Sequence, residues 1–177
     1  MAAFESERIS RSQGAELIII GVDPGTAVTG YGIIRKVGNK PCRLASGVVK
    51  TSADAPQSKR ILEIYSRLDE VIREHQPDVM VVESLFHAVN PQSLMKLCQV
   101  RGGVLLLGER YGLDIFEYSP MEIKQGLTGY GRADKNQILF MVAHLLGLND
   151  LKRSDEADAL AMALYHSHIA RPLGKNR

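Results

Sequence analysis

Three short stretches of this 177-residue chain place acids where carboxylates can do metal chemistry. Asp23 ends the oily run LIIIGVD and is followed by Pro24-Gly25-Thr26. Glu83 ends a second oily run, DVMVVE. Asp155 and Asp158 stand three apart in SDEADALAMA, a spacing that sets both on one side of a helix. If the two oily runs are parallel neighbours in a sheet, their terminal carboxylates lie about 5 Å apart, the strand spacing. Two anions so close repel, and burial penalises each further. A divalent cation relieves both costs, and hard oxygen donors suit Mg²⁺, with Mn²⁺ able to substitute. Four carboxylates and no His/Cys ligand cluster point to a two-metal site. Such a site clamps the attacking water and the leaving oxygen of a phosphodiester. Each acid also has a plainer explanation. Asp23 would cap a turn, Glu83 would end a strand in solvent, and Asp155, Glu156 and Asp158 would be acids favoured by a helix N-terminus. Their joint appearance at three sheet-edge positions favours the chemistry. Glu156 is expected to point away from the metals.

The elements that must position these acids can be read from periodicity and punctuation. Glu16 to Asp23 is a continuous β-branched run, the pattern of a strand buried on both faces. Thr29–Val37 and Cys42–Lys50 follow across short turns, which predicts an antiparallel hairpin series. Ile61, Ile64, Tyr65, Leu68, Val71 and Ile72 recur at helical spacing, with Pro56 in the first turn and Pro77 as the stop. Asp78–Glu83 then returns parallel to the first strand through this crossover. Asn90-Pro91 opens a helix through Arg110, and Leu113–Tyr118 is a fifth strand. Ser119 and Glu122 match a capping box for a short helix, and Leu127–Gly131 is predicted as a flexible loop. Asp134 caps a helix to Leu146; Ser154 caps the last helix, which runs to about Ala170 with Asp155 and Asp158 in its first turn. Ala157, Ala159, Ala161 and Ala163 would let that helix approach the sheet closely. The expected fold is α/β, a five-stranded mixed sheet with helices on both faces.

Composition bounds the class. Apolar residues make up 45% and charged residues 24%, a globular balance. No apolar run approaches the ~18 residues that span a bilayer, and the polar start MAAFESERISRSQGAE has no secretion-signal core. Residues 1–16 are expected to be a disordered extension, 17–171 one domain and 172–177 a basic tail. Cys42 and Cys98 lie far apart and fit no metal spacing, as in a reduced, cytoplasmic protein. A net charge of +2 permits nucleic-acid binding through a local patch. Lys124, Arg132 and Lys135 bracket the LTGYG stretch, and Lys96, Arg101 and Arg110 line the long helix, so they are candidate phosphate contacts; simple solvated charge would explain them equally. Phe86, in SLFHAVN, would stack on a base if exposed, or plug the core beneath its loop. Gly102-Gly103 in mid-helix costs stability, and close packing across a dimer interface is its expected reason.

GVDPGTAVTGYGII, VVESLFHAVN, LTGYGRADKNQI and SDEADALAMA, in that order, resemble the RuvC family of bacterial Holliday-junction resolvases. The likeness runs from about Leu17 to Ala170. It implies a ribonuclease-H-like fold, a homodimer, and Mg²⁺-dependent symmetric nicking of two like strands of a four-way DNA junction, leaving ligatable 5′-phosphate and 3′-hydroxyl ends. It implies contact with a RuvAB branch-migration complex. By motif position, Asp23, Glu83, Asp155 and Asp158 match the family's metal-binding catalytic acids. Phe86 matches an aromatic that stacks at the junction centre, and Lys124 and Lys135 match lysines that face the scissile backbone. The chain departs from the family in some fifteen extra residues before the first strand and in an early stop at RPLGKNR. Asp-Pro-Gly-Thr also fits the phosphate loop of actin-like ATPases, which need a second such domain and a second loop that this sequence lacks. A ribonuclease-H relative acting on RNA precursors and a non-catalytic junction-binding module compete with the resolvase as well.

Overall fold

The computed structural model describes residues 16–84 and 90–170. Strand β1 (Glu16–Asp23) pairs antiparallel with β2 (Val28–Val37), and β2 pairs antiparallel with β3 (Lys40–Lys50). Helix α1 (Gln57–His75) carries the chain over the sheet to β4 (Val79–Glu83), which lies parallel to β1. Helix α2 (Pro91–Arg110) makes the second crossover, to β5 (Asp114–Tyr118), parallel to β4. Helices α3 (Pro120–Thr128), α4 (Lys135–Leu146) and α5 (Ser154–Ile169) complete the chain. The five-stranded sheet has the order β3-β2-β1-β4-β5. Successive side chains of a strand point to opposite faces, so β1 feeds two cores. Ile19 joins Ile34, Val79 and Val81 beneath α3, α4 and α5. Ile18, Ile20 and Val22 join Met80 and Val82 against α1 and α2. The expected mixed sheet covered on both faces is what forms.

Four helix starts show why local chemistry suffices in places and not in others. Asn90 caps α2 by accepting from the backbone N–H groups of Gln92 and Ser93, ahead of Pro91. Ser119–Glu122 and Asp134–Gln137 both close as reciprocal capping boxes. Ser154 does not cap α5: it is the first helical residue, and Arg153 precedes it with no side-chain cap bond. Asp155 and Glu156 therefore lie in the first turn and Asp158 just beyond it. Leu127 and Thr128 belong to α3 rather than to a loop, because Leu127 is buried in the core; Gly129 ends the helix with a left-handed backbone.

Helix α5 lies on the sheet at very short range, the approach expected from its alanines. Ala157, Ala159, Ala161 and Ala163 are buried. The sheet reciprocates with glycine. A Cβ on Gly21 of β1 would collide with the Ala159 carbonyl, and one on Gly30 of β2 with the Asp155 carbonyl. Among the described residues, Gly102 and Gly103 make no close packing contact: nothing lies within 4 Å of a Cβ built on Gly102, and one on Gly103 would meet Ile61 at 3.5 Å.

Candidate active site

Asp23 ends β1, and Glu83 ends the neighbouring parallel β4, with Val22 aligned to Val82 one residue before the two acids. The turn after Asp23 is pinned from beneath. The buried Thr29 hydroxyl donates to the Gly25 carbonyl at 2.8 Å and accepts from the Gly25 N–H. The Thr26 carbonyl accepts from Thr51 Oγ1 at 2.6 Å and from Arg60. Glu83 is fixed through its backbone. Arg101 Nε donates to the Glu83 carbonyl at 3.3 Å, while its Nη2 pairs with Glu117 at 2.6 Å. Arg101 is thus spent inside the domain rather than offered to phosphate, and Arg110 pairs with Asp69 at 3.3 Å.

One cleft is lined by Asp23, Glu83 and Asp158 together with Lys124 and Lys135, on a floor that includes Ile123, Ile138 and Met162. Lys135 Nζ stands 3.8 Å from Asp158 Oδ2. Asp155 does not line the cleft, yet its charge reaches both Asp23 and Asp158. Burial, then the charges of Glu83, Asp158 and Asp155, push Asp23 up to about 7. Burial, then Asp158, raises Glu83; burial raises Asp158 against the lysines. Glu156 turns aside, accepting from Ser46 Oγ at 2.6 Å. Arg132 lines a separate depression with Met121, Gln125 and Tyr130. Phe86 and His87 lie outside the described residues.

The donor set fits a hard divalent cation by chemistry and by charge: it is all carboxylate oxygen, and its mutual repulsion is what a cation removes. Among the described residues, no three Asp, Glu, His or Cys side chains are arranged to hold a metal ion as they stand. Sequence reasoning missed Gly30 and Ser46, and it offered Arg101 as a phosphate contact where the structure has it hold the Glu83 carbonyl and Glu117; all three position the acid-bearing segments. GYG opposite the DPG turn was the available signal for Gly30; nothing in the sequence marked Ser46.

The family model described as crossover junction endodeoxyribonuclease RuvC matches residues 19–166. A crossover junction endodeoxyribonuclease RuvC from Desulfitobacterium hafniense is 42% identical over 160 residues, 90% of this chain and 97% of that protein. One from Geobacter sulfurreducens is 42% identical over 152 residues, covering 86% and 93%. Among solved structures, T. thermophilus RuvC in complex with a Holliday junction substrate superposes with a TM-score of 0.78 at 33% identity, covering 85% of this chain and 93% of that one. The yeast mitochondrial resolvase Ydc2, at 15% identity and a TM-score of 0.62, shares the fold. With its family model spanning most of the chain, its relatives matched nearly end to end and its sheet order in place, the chain belongs to the RuvC family of crossover junction endodeoxyribonucleases.

Proposed function

We propose that this protein is a metal-dependent endonuclease that resolves four-way DNA junctions by symmetric hydrolysis of phosphodiesters on two like strands, leaving 5′-phosphate and 3′-hydroxyl nicks. The observation that carries the reading is Asp23. It shares a cleft with Glu83, Asp158 and two lysines and feels the charge of Asp155, with its proton held up to about 7. A protein of this size gains nothing in stability from such a cluster, so its use is the cation and the phosphate it receives. Asp23, Glu83, Asp155 and Asp158 would hold Mg²⁺ (two ions, with Mn²⁺ as substitute). Metal bound there supplies a polarised attacking water and neutralises charge on the leaving oxygen.

The chain's own groups do the rest. Asp23 must give up its proton before it can ligate. Lys124 and Lys135, in the same cleft, hold the scissile phosphate, and Lys135 trades Asp158 for that partner. Phe86 would stack on a base at the junction centre, and Arg132 would contact the backbone beside the cleft. Two cleavage sites on one junction need two active sites, and α2 offers a face for a homodimer. Met95 and Leu106 are about two-thirds exposed there, as is Leu62 on α1, and Gly102 opens the helix surface to a partner.

The test is nicking of a synthetic four-way junction beside a linear duplex, with Mg²⁺ and with chelator. Paired nicks on the junction, absent on the duplex and absent with chelator, are expected. Equal cutting of both substrates would reduce the assignment to a nuclease of this fold, and cutting in chelator would remove the metal.

A further inference from the structure

We propose that Ser46 and Glu156 form a latch that sets where Asp155 and Asp158 stand, making both positioning residues of the acid cleft. The inference rests on the nuclease reading above. Helix α5 carries Asp158, which lines the cleft, and Asp155, whose charge reaches it, so the placing of its first two turns decides where both acids stand. That end has no side-chain cap, and an uncapped N-terminus leaves backbone N–H groups unsatisfied and frays. Something tertiary must hold it.

The hold comes from two strands. From β2, Gly30 packs directly beneath the Asp155 carbonyl, a contact that sets depth but not rotation. From the edge strand β3, Ser46 Oγ donates to Glu156 Oε1 at 2.6 Å, a short bond to a charged acceptor. Three residues earlier on the same strand, Arg43 reaches Ser46 Oγ at 3.5 Å with one nitrogen and Asp150 Oδ2 at 2.8 Å with the other. Asp150 lies between α4 and α5, so β3 grips the helix and the segment that leads into it. Glu156 neighbours Asp155 and lies two positions before Asp158; turning the helix about its axis moves all three together.

The experiment compares Ser46→Ala, Glu156→Ala, Glu156→Gln and the Ser46→Ala/Glu156→Ala double variant with the parent. Three quantities are read: Mn²⁺ affinity of the DNA-free protein by titration, the metal concentration for half-maximal junction nicking, and Tm in chelator. Each alanine variant should weaken Mn²⁺ binding and raise the half-saturating metal about tenfold, the size of one lost charge-assisted bond. The maximal nicking rate should stay within about twofold, since the ligands themselves remain. The double variant should be no worse than either single one, and Glu156→Gln, which still accepts from Ser46 through a neutral and weaker bond, should restore metal affinity to within about threefold of the parent. A Glu156→Gln variant as weak as Glu156→Ala would overturn the latch in favour of a charge effect. An additive double variant, or unchanged metal affinity with a lower Tm, would overturn it too. Should the parent fail to nick junctions, the nuclease reading falls, while the Mn²⁺ titration still decides the latch.

Discussion

Asp69 and Asp23 are both carboxylates withdrawn from water, and the protein treats them in opposite ways. Asp69, on α1, is 7% exposed. It accepts from the Tyr111 hydroxyl at 2.7 Å, pairs with Arg73 at 2.7 Å and meets Arg110 at 3.3 Å. Its charge is answered on every side, and it ties α1 to the end of α2. Asp23, at the end of β1, has no side-chain hydrogen bond or ion pair among the described residues. Its neighbours in charge are three further acids, with Lys135 a weaker opposing influence. The two sites teach that burial of a charge does not mark function. An arrangement that gathers like charges and declines to answer them does, because folding alone would have removed it.

The largest effect should separate these two carboxylates outright. Asp23→Asn should lower junction nicking roughly a thousandfold or more, as loss of a metal ligand does. The same change should raise the Tm of the metal-free protein at pH 8. The sign follows from the proton. Folding raises Asp23 from 3.8 to about 7, so the group opposes folding once it is charged. That opposition is absent below pH 4, grows as pH climbs from about 4 to about 7, and is complete above. The Tm advantage of Asp23→Asn should therefore open through that window and vanish below it. A variant that melts lower than the parent at pH 8 would contradict the repulsion. At limiting metal, parental nicking should rise through pH 7 as the proton leaves, and added metal should move that rise to lower pH.

Gly30→Ala comes next. Gly30 stands opposite Asp23 in the register and under the Asp155 carbonyl, so a methyl group there lifts the helix carrying two acids away from the strands carrying the others. A rate loss of roughly a hundredfold is expected from a misplacement on the order of 1 Å, with about 1–3 kcal/mol of stability lost to overpacking. Rate and melting measured together decide it. A folded variant with parental nicking would show that the cleft tolerates the displacement.

On the other side of the comparison, Asp69→Ala should cost about 1–3 kcal/mol by removing the carboxylate that the Tyr111 hydroxyl, Arg73 and Arg110 share. Nicking below the melting transition should stay parental. A rate loss there, with melting unchanged, would give Asp69 a part in the chemistry that its partners argue against.

These contrasts also explain what could be read in advance. The sheet was legible because β1 and β4 are buried on both faces and so must be oily without alternation, and because a parallel return demands a crossover of helical length. Asp23 and Glu83 were legible because each ends such a run, and Asp155 and Asp158 because they stand three apart in SDEADALAMA. The supporting contacts were not. Ser46 is an ordinary serine on an edge strand until α5 is laid across it, and Arg101 looks like a surface cation until Glu117 and the Glu83 carbonyl are placed beside it. Ser154 misled for a related reason. A serine before helical acids is the local signature of a cap, and here tertiary contacts hold that end instead.

The smallest expected effect sharpens the comparison through its cations. Lys124 and Lys135 share the cleft with the acids, where Lys135 stands a loose 3.8 Å from the one carboxylate of Asp158, whereas Arg110 is engaged by Asp69 and by the Tyr65 hydroxyl at 3.0 Å. A cation that neutralises a phosphate releases counterions, and each such contact contributes about 0.9 to the slope of log affinity against log salt. Lys124→Ala and Lys135→Ala should each flatten that slope for junction binding by about this amount, measured in chelator so that cutting does not intervene. Arg110→Ala should leave it unchanged, since that charge is already spent within the fold. Equal slopes for all three variants would mean that DNA passes the cleft without using its lysines. A flattened slope for Arg110→Ala would place DNA along α2, on the face whose exposed Met95 and Leu106 are proposed to meet a second copy of the chain.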